Sequence, residues 1–149
     1  MFCQLEKCDM NIITDKEKLH KKTSCFIDEK EDILKLYTIL ILELKKHDGQ
    51  GLAANQLGFD KSIFVMRRNI GPPICIVNPI ISKEKGSIIT TEYCLSIPGE
   101  SFKIKRPKKV TIRGFNQYLN PIKYKFEGIE ARRACHEIDH LNGILIGDI

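Results

Sequence analysis

The strongest hydrophobic pattern in this chain lies in its first third. Between Glu29 and Lys46, apolar side chains recur at intervals of three and four residues, with acidic residues early and lysines late. The apolar positions are Ile33, Leu36, Tyr37, Leu40, Ile41 and Leu44. An α-helix places such positions on one face, and this order of charges suits its dipole. The pattern predicts an amphipathic helix whose apolar face packs against a core.

The middle of the chain alternates short apolar runs with turn residues. The runs are rich in β-branched residues and cover Ser62–Met66, Ile74–Val77, Ile88–Thr91, Val110–Phe115 and Ile122–Phe126. Proline, glycine and asparagine separate them, which is typical of strands joined by tight turns in an antiparallel sheet. Residues 1–28 show no clean periodicity and predict an irregular N-terminal arm.

A second helix is predicted around His136-Glu137-Ile138-Asp139-His140. The residues GIEAR upstream and Leu141-Asn142-Gly143 downstream fit a helix that ends at a glycine. Helical spacing would place His136 and His140 on one face, one turn apart, where a single cation could bind both. Glu137 would then lie beside the metal without ligating it and could take a proton from water.

Length and composition favour one α+β domain spanning residues 1–149, with strands between two helices. No apolar run reaches the ~18 residues that a membrane-spanning helix needs. The first residues lack a basic segment followed by an apolar one, so no secretory signal is expected. The six cysteines are widely spaced and form no CxxC pair, which favours reduced thiols in a cytoplasm.

The chain is moderately basic, with a formal net charge of +5. An excess of lysine is most simply a solvated surface, but it also suits a protein that works near an RNA-rich partner such as a ribosome. The segments Lys18–Lys22 and Lys103–Lys109 are candidates for electrostatic steering.

Two further segments could complete a metal site. A catalytic site needs a third ligand and an open position for water, and Cys94 lies at the end of a predicted strand, in TEYCLS. The segment Gly49–Gln56 reads GQGLAANQ, in which the glycines let the backbone approach a ligand closely. Gln56 could direct an amide N–H at an oxyanion, although a loop of packed small residues is the better interpretation of this segment taken alone.

The segments GQGLAANQ, EYCLS and CHEIDHLNG, in this order, resemble the three signature motifs of peptide deformylases. These enzymes remove the formyl group from the N-terminal methionine of new polypeptides. The resemblance runs from Gly49 to the C-terminus and implies antiparallel sheets packed around a central C-terminal helix that carries HExxH, with one further N-terminal helix. The chain ends soon after His140, so it resembles the shorter organellar or phage-encoded members, which lack a C-terminal helix linked to ribosome docking.

The resemblance assigns roles to residues of the motifs. Cys94, His136 and His140 would be the metal ligands, and Glu137 the general acid and base. The metal would be one divalent ion, with Fe²⁺ expected first and Zn²⁺, Ni²⁺ or Co²⁺ as alternatives. Imidazole and thiolate alone suit zinc as well as iron.

Other residues would support the reaction. The side chain of Gln56 and the backbone N–H of Leu95 would hold the formyl oxyanion. Arg106 would pair with Glu92 and steady the loop that carries Cys94, although a plain surface ion pair is the simpler alternative.

The substrates implied are N-formylmethionyl peptides, whose methionine side chain would lie against Gly51, Leu52 and the HExxH helix. Transient proximity to a ribosome is expected, with no DNA partner, no membrane and a monomeric state. The expected location is the cytoplasm, or the host cytoplasm if the chain is phage-encoded.

Two substitutions separate the chain from the family's motifs. Tyr93 stands where the family has a glycine, and Cys135 stands where it has a glutamine. Because of these substitutions, an alternative remains open, in which the chain is a catalytically weak protein that binds formylated peptides. An HExxH zinc peptidase would not need Cys94, and a structural metal site would need a fourth protein ligand that the sequence does not offer.

Overall fold

A computed structural model describes residues 11–26 and 29–148. The α-helices are α1 (Lys16–Leu19), α2 (Lys30–Lys46) and α3 (Ile129–Leu141), with 3₁₀ turns at Ala54–Leu57 and Ile146–Asp148. The strands are β1 (Gly51–Ala53), β2 (Ile63–Met66), β3 (Ile74–Lys85), β4 (Ile88–Cys94), β5 (Ile97–Arg106), β6 (Lys109–Phe115) and β7 (Pro121–Glu127). Within the described residues, no helix combines the length and apolar character that crossing a membrane requires.

All strand pairs are antiparallel, as the sequence predicts. Five strands form one sheet in the order β1-β2-β3-β6-β7, and β4 pairs with β5 in a separate hairpin. The predicted α+β fold, with a C-terminal helix that carries HExxH and an N-terminal helix, is confirmed.

The five-stranded sheet is covered on both faces where β1 and β2 lie. Phe64 and Met66 of β2 pack in the cluster beneath α3, whereas Ile63 and Val65 pack in the cluster beneath α2. Successive side chains of a strand point to opposite faces, so a strand between two helices is apolar at every position. This arrangement explains the continuous apolar run that marked β2 in the sequence.

Helix α2 confirms the amphipathic pattern. It begins one residue later than predicted and buries one side chain per turn completely, at Ile33, Leu36, Leu40 and Leu44. Tyr37 and Ile41 of the same stripe are partly buried against the same cluster.

A third cluster joins the hairpin to both ends of the described chain. It contains Leu19, Cys94, Ile97, Ile104, Leu145 and Ile146. Nearby, the backbone N–H and hydroxyl of Thr23 both donate to the carbonyl of Leu141, at 2.8 and 2.9 Å. The segment after α1 therefore satisfies a carbonyl at the C-terminal end of α3 that the helix itself leaves free.

The turn residues were partly misleading. Asn78-Pro79 was expected to end a strand but lies inside β3, at a shift of register where Asn78 has a φ of 51°. Pro98-Gly99 lies inside β5, just after the hairpin turn. Such residues are tolerated at bulges and strand ends, where the hydrogen-bond ladder is already interrupted.

The N-terminal arm differs from its prediction because it contains the short helix α1, with Asp15 accepting a hydrogen bond from the N–H of Glu17. Residues 1–10, 27 and 28 of the predicted arm lie outside the described residues.

Candidate metal centre and active site

Three potential ligand atoms converge between the hairpin and α3. His136 and His140 extend from the same face of α3, and their Nε2 atoms are 3.2 Å apart. The Sγ atom of Cys94, the last residue of β4, lies 3.1 Å from Nε2 of His140. All three ligand atoms lie within 4.8 Å of one another.

This arrangement fits one divalent cation. Metal–nitrogen bonds of ~2.05 Å and a metal–sulfur bond of ~2.3 Å, at tetrahedral angles, place two nitrogens roughly 3.3 Å apart and a nitrogen and a sulfur roughly 3.5 Å apart. The observed nitrogen separation matches, and the separation between Sγ of Cys94 and Nε2 of His140 is shorter than expected by only a few tenths of an ångström. Three protein ligands leave one position for water, which is the pattern of a catalytic rather than a structural site.

A buried ionic network orients His136. Its Nδ1 is 3.0 Å from a carboxylate oxygen of Glu92, which leaves Nε2 directed at the site. Arg106 donates to both oxygens of Glu92, at 2.8 and 2.9 Å, and to Asp139 at 2.5 Å. Burial would raise the pKa of Glu92, but the hydrogen bonds from Arg106 and His136 lower it to about 2. The carboxylate therefore stays ionised and fixes the imidazole.

His140 is held mainly by packing. It is almost fully buried, and its Nδ1 has no hydrogen-bond partner among the described residues. Burial, followed by the nearby charges of His136 and Arg106, lowers the pKa of His140 well below its ordinary value. The neutral ring that results is the form that binds metals. Its backbone carbonyl accepts a hydrogen bond of 2.6 Å from Asn55, which ties α3 to the GQGLAANQ segment.

Glu137 faces the same space from the next position on α3. Its side chain is buried, and its Oε1 lacks a hydrogen-bond partner among the described residues. Burial raises the pKa of Glu137 to about 7, which suits a group that must both accept and release a proton near neutral pH. The carboxylate lies directly against Gly51, where a Cβ atom would come within 2.4 Å of Glu137 Oε2.

The amide of Gln56 is oriented by two contacts. Its oxygen accepts from the N–H of Ala53 at 3.0 Å, and its nitrogen donates to the hydroxyl of Ser96 at 3.1 Å. The same nitrogen lies 3.9 Å from Sγ of Cys94. The donor end of the amide therefore points toward the hairpin, next to Leu95.

A cavity of about 530 Å³ opens beside these groups. The GQGLAANQ segment contributes Gly49, Gln50, Gly51 and Gln56 to its wall, together with Asp48 just before it. The hairpin contributes Thr91, Glu92, Tyr93, Cys94, Leu95, Pro98 and Gly99, and α3 contributes Ile129, Arg132, Arg133, His136 and Glu137.

The wall also contains Tyr93, which the sequence singled out as a departure from the family's motif, and two arginines, which it did not single out. Tyr93 is 73% exposed and lies on the rim, where a passing peptide can contact it. Arg132 and Arg133 lie on the same face of α3 as the HExxH pair, and their spacing from His136 and Glu137 was the signal that could have found them.

Leu52 and Cys135 lie away from the cavity. Leu52 was expected beside the substrate, but its side chain is fully buried in the cluster beneath α2 and does not line the wall. Cys135 is buried in the cluster beneath α3, so its thiol points into the core rather than toward the ligands.

Comparison with known proteins identifies the family. A family model described as polypeptide deformylase matches residues 10–149. The peptide deformylase of Alkaliphilus metalliredigens is 38% identical over 141 residues, which cover 92% of this chain and 93% of that protein.

Solved structures agree with this assignment. A probable peptide deformylase from Synechococcus phage S-SSM7 has a TM-score of 0.88 at 31% identity, covering 94% of this chain and 99% of that chain. PDF from the Vibrio parahaemolyticus bacteriophage VP16T, crystallised in complex with actinonin, has a TM-score of 0.86 at 35% identity, covering 92% of this chain and 100% of that chain. Together with the convergence of Cys94, His136 and His140, these matches place the chain in the polypeptide deformylase family.

Proposed function

We propose that this deformylase hydrolyses the formyl group of N-formylmethionyl peptides at a divalent ion held by Cys94, His136 and His140, with Glu137 as general acid and base. The convergence of three ligand atoms beside a buried carboxylate is the observation that carries the proposal. A third ligand supplied by a separate hairpin distinguishes this site from one built on HExxH alone.

An ion bound by these three residues would polarise the formyl carbonyl and lower the pKa of water toward ~7. Glu137 takes the proton of the attacking water as its oxygen bonds to the formyl carbon. The Nε2 amide of Gln56 and the N–H of Leu95 donate hydrogen bonds to the oxyanion that develops. Glu137 then delivers its proton to the leaving nitrogen, the carbon–nitrogen bond breaks, and formate and a free α-amino group are released.

Fe²⁺ is the metal we propose first, with Zn²⁺, Ni²⁺ and Co²⁺ as alternatives that the same ligands accept. A thiolate and two imidazoles suit each of these ions. We also propose a cytoplasmic monomer that works near ribosomes, because the net charge of +5 favours proximity to RNA.

The test compares Glu137→Gln with the native protein, both prepared anaerobically with Fe²⁺ or Ni²⁺ and assayed on formyl-Met-Ala-Ser. Glu137→Gln keeps the size of the side chain but removes the base, so we expect at least about a 10²-fold loss of turnover with metal content unchanged. Glu127→Gln, at an exposed carboxylate of β7, should turn over normally.

Cys94→Ala tests the third ligand. Metal content and formyl hydrolysis should both fall, whereas Cys25→Ala, at an exposed cysteine, should change neither. Cleavage of internal peptide bonds that persists in Cys94→Ala would instead indicate a zinc peptidase. A native protein with stoichiometric metal but no turnover would indicate a peptide-binding protein.

A further inference from the structure

One face of the five-stranded sheet is covered by α2 only in part. Cys75 and Val77, in the first half of β3, pack in the cluster beneath α2. Val77 lies opposite Phe115 of β6, so the same face of the sheet continues along β3, β6 and β7. The exposed basic side chains on this continuation, which together form what we call the basic face, are Lys83, Lys85, Lys109, Arg113, Lys123 and Lys125.

The register of the strands places these side chains on one side of the sheet. Residues directly opposite each other in an antiparallel pair point to the same side. Thr111, in the middle of β6, lies opposite Lys83 on β3 and Lys125 on β7. Residues two positions before and after Thr111 share its direction, whereas Ile112 points to the other side and is buried beneath α3. The basic face is therefore on the side of the sheet opposite α3.

Like charges lie opposite each other on this face. Lys85 is directly across from Lys109, and Arg113 is directly across from Lys123. Like charges at such positions destabilise an antiparallel sheet. Among the described residues, the only ion pair of the basic face joins Lys109 to Glu127, at 3.3 Å, and both side chains are exposed. The fold thus carries repulsion that its own acids do not neutralise.

The basic face accounts for the positive charge of the whole chain. Six cations and the carboxylate of Glu127 give it a net charge of +5, which equals the formal net charge of all 149 residues. Glu84 also belongs to β3, but it lies opposite Val110 and so points to the α3 side. The remaining charges of the chain balance, and the excess that attracts anions is concentrated on one surface.

Protection of the sheet edge does not explain this concentration. Charged side chains on an edge strand prevent it from pairing with another chain, and β7 is an edge strand. However, β6 lies between β3 and β7 and carries Lys109 and Arg113 on the same side. These two cations lie on a strand that is already paired on both sides, so a different role is required for them.

The shape of the basic face favours contact with phosphates rather than with bases. Three strands about 4.8 Å apart, and four residues of β6 at about 3.4 Å each, give it dimensions of roughly 10 Å by 14 Å. Between Lys109 and Arg113, this side of β6 has no aromatic residue on which a base could stack. An RNA duplex presents its phosphates across a wide, shallow minor groove, which suits a flat surface, whereas the minor groove of B-form DNA is only ~6 Å wide.

An anionic membrane is a poorer match for the same surface. Helices and sheets that bind at a membrane surface combine cations with several apolar side chains that insert among the lipids. Ile80, opposite Arg113, is the one exposed apolar residue in the described rows of the basic face.

We propose that the basic face binds the phosphate backbone of double-stranded RNA. Binding would neutralise the repulsion between the opposed cations and release the counterions of the phosphates. None of the six basic residues lines the active-site cavity, which lies on the α3 side. RNA can therefore be bound while the cavity stays open to peptides, and this activity goes beyond the proposed hydrolysis and does not depend on it.

The test measures fluorescence anisotropy of a labelled RNA duplex of about 20 base pairs, titrated with the Ni²⁺-loaded enzyme at several salt concentrations. Each neutralised phosphate adds about 0.9 to the slope of log Kd against log salt, so five or six contacts predict a slope of roughly 4–5. Tighter binding to a DNA duplex of the same sequence would overturn the choice of RNA. Binding to phosphatidylserine vesicles without binding to RNA would instead indicate a membrane surface.

Charge reversal locates the RNA-binding surface. In the double variant Lys85→Glu with Lys123→Glu, each new carboxylate lies opposite a cation, Lys109 or Arg113, so the sheet should be at least as stable as in the native protein. Affinity for the RNA duplex should nevertheless fall at least about tenfold, and the salt slope should fall by about two. Turnover of a formyl peptide should remain at the native rate.

The matched control is Lys16→Glu with Lys18→Glu, at exposed positions of α1, which changes the net charge by the same amount. It should bind the duplex within about twofold of the native affinity, because the contacts on the sheet are intact. RNA binding that survives reversal on the sheet, or that falls equally in the control, would overturn the assignment to the basic face. Formyl-peptide hydrolysis without RNA binding would overturn this proposal alone, and RNA binding without hydrolysis would overturn the proposed function alone.

Discussion

Gly51 and Glu137 lie so close together that no side chain fits between β1 and α3. A Cβ atom at Gly51 would lie 2.4 Å from Oε2 and 2.9 Å from Cδ of Glu137. Real Cβ atoms do not approach other heavy atoms this closely, so the carboxylate would have to move. Gly51, which the resemblance places beside the substrate, therefore also leaves space for the carboxylate that we propose as general acid and base.

Gly51→Ala should lower kcat by about 10²-fold while the protein remains folded and binds metal, because displacement of a reacting group by ~1 Å has a cost of this order. Steady-state kinetics on a formyl peptide, together with metal analysis, provide the measurement. Gly147→Ala is the matched control, since its Cβ would meet Phe102 at 3.5 Å, an ordinary contact distance. Full activity in Gly51→Ala would show that Glu137 is not positioned by this contact.

Single residues also show how far the sequence can predict the site. Residues four apart in a helix lie on the same face, so the shared face of His136 and His140 could be predicted as soon as a helix was predicted there. The contact between Gly51 and Glu137 joins residues distant in sequence, and no local pattern reveals it. Leu52 illustrates the same limit. Neighbouring residues of a strand point to opposite faces, and the sequence alone did not show which of Gly51 and Leu52 faces the cavity.

At the level of elements, Arg106 connects the β4–β5 hairpin to α3. It is the last residue of β5, pairs with Glu92 on β4, and also reaches Asp139 on the helix. All three pairing groups are buried or partly buried, so removal of the guanidinium would leave Asp139 without its ion-pair partner and Glu92 with only His136.

Arg106→Met should therefore lower the free energy of unfolding by about 3–5 kcal/mol, the cost of breaking a buried ion pair from one side. Urea unfolding in the presence of saturating Ni²⁺ measures the change. Lys109→Met removes a partner from the exposed pair with Glu127 and should cost less than about 1 kcal/mol. Equal effects of the two substitutions would argue against a structural role for the buried network.

The elements that the sequence missed have a common physical cause. Most of β5 is exposed, and only Ile97, Ile104 and Arg106 are buried along its ten residues. Apolar side chains therefore do not alternate along it, and its proline and glycine suggested a turn. By contrast, α2 and β2 bury most of their apolar side chains, so the positions of those residues in the sequence were enough to predict both elements.

At the level of the whole molecule, the proposed metal ligands tie together parts that are separate in the chain. Cys94 belongs to the two-stranded hairpin, whereas His136 and His140 belong to the helix that packs on the five-stranded sheet. A ligand that binds only the folded state stabilises it, so loss of the ion should loosen the hairpin as well as abolish activity.

Removal of the metal with a chelator should lower the thermal midpoint, and added Ni²⁺ should restore it. At a free ion concentration 100 times the dissociation constant, the expected stabilisation is about 2.7 kcal/mol. For a chain of this size that corresponds to roughly 5–11 °C, measured by circular dichroism or calorimetry. Cys94→Ser should lose this response and Cys25→Ser should keep it; a metal response that persists without Cys94 would exclude it as a ligand.

The position of α3 after all seven strands has a consequence for synthesis. A ribosome produces the strands before the helix that covers their apolar face, so Phe64, Ile112 and Phe126 must wait for their main partner. Until Ile129–Leu141 emerges, the nascent sheet exposes the surface that newly made chains use to aggregate. The proposed metal site of an enzyme that acts on nascent peptides therefore cannot close until Ile129–Leu141 of its own chain has been made.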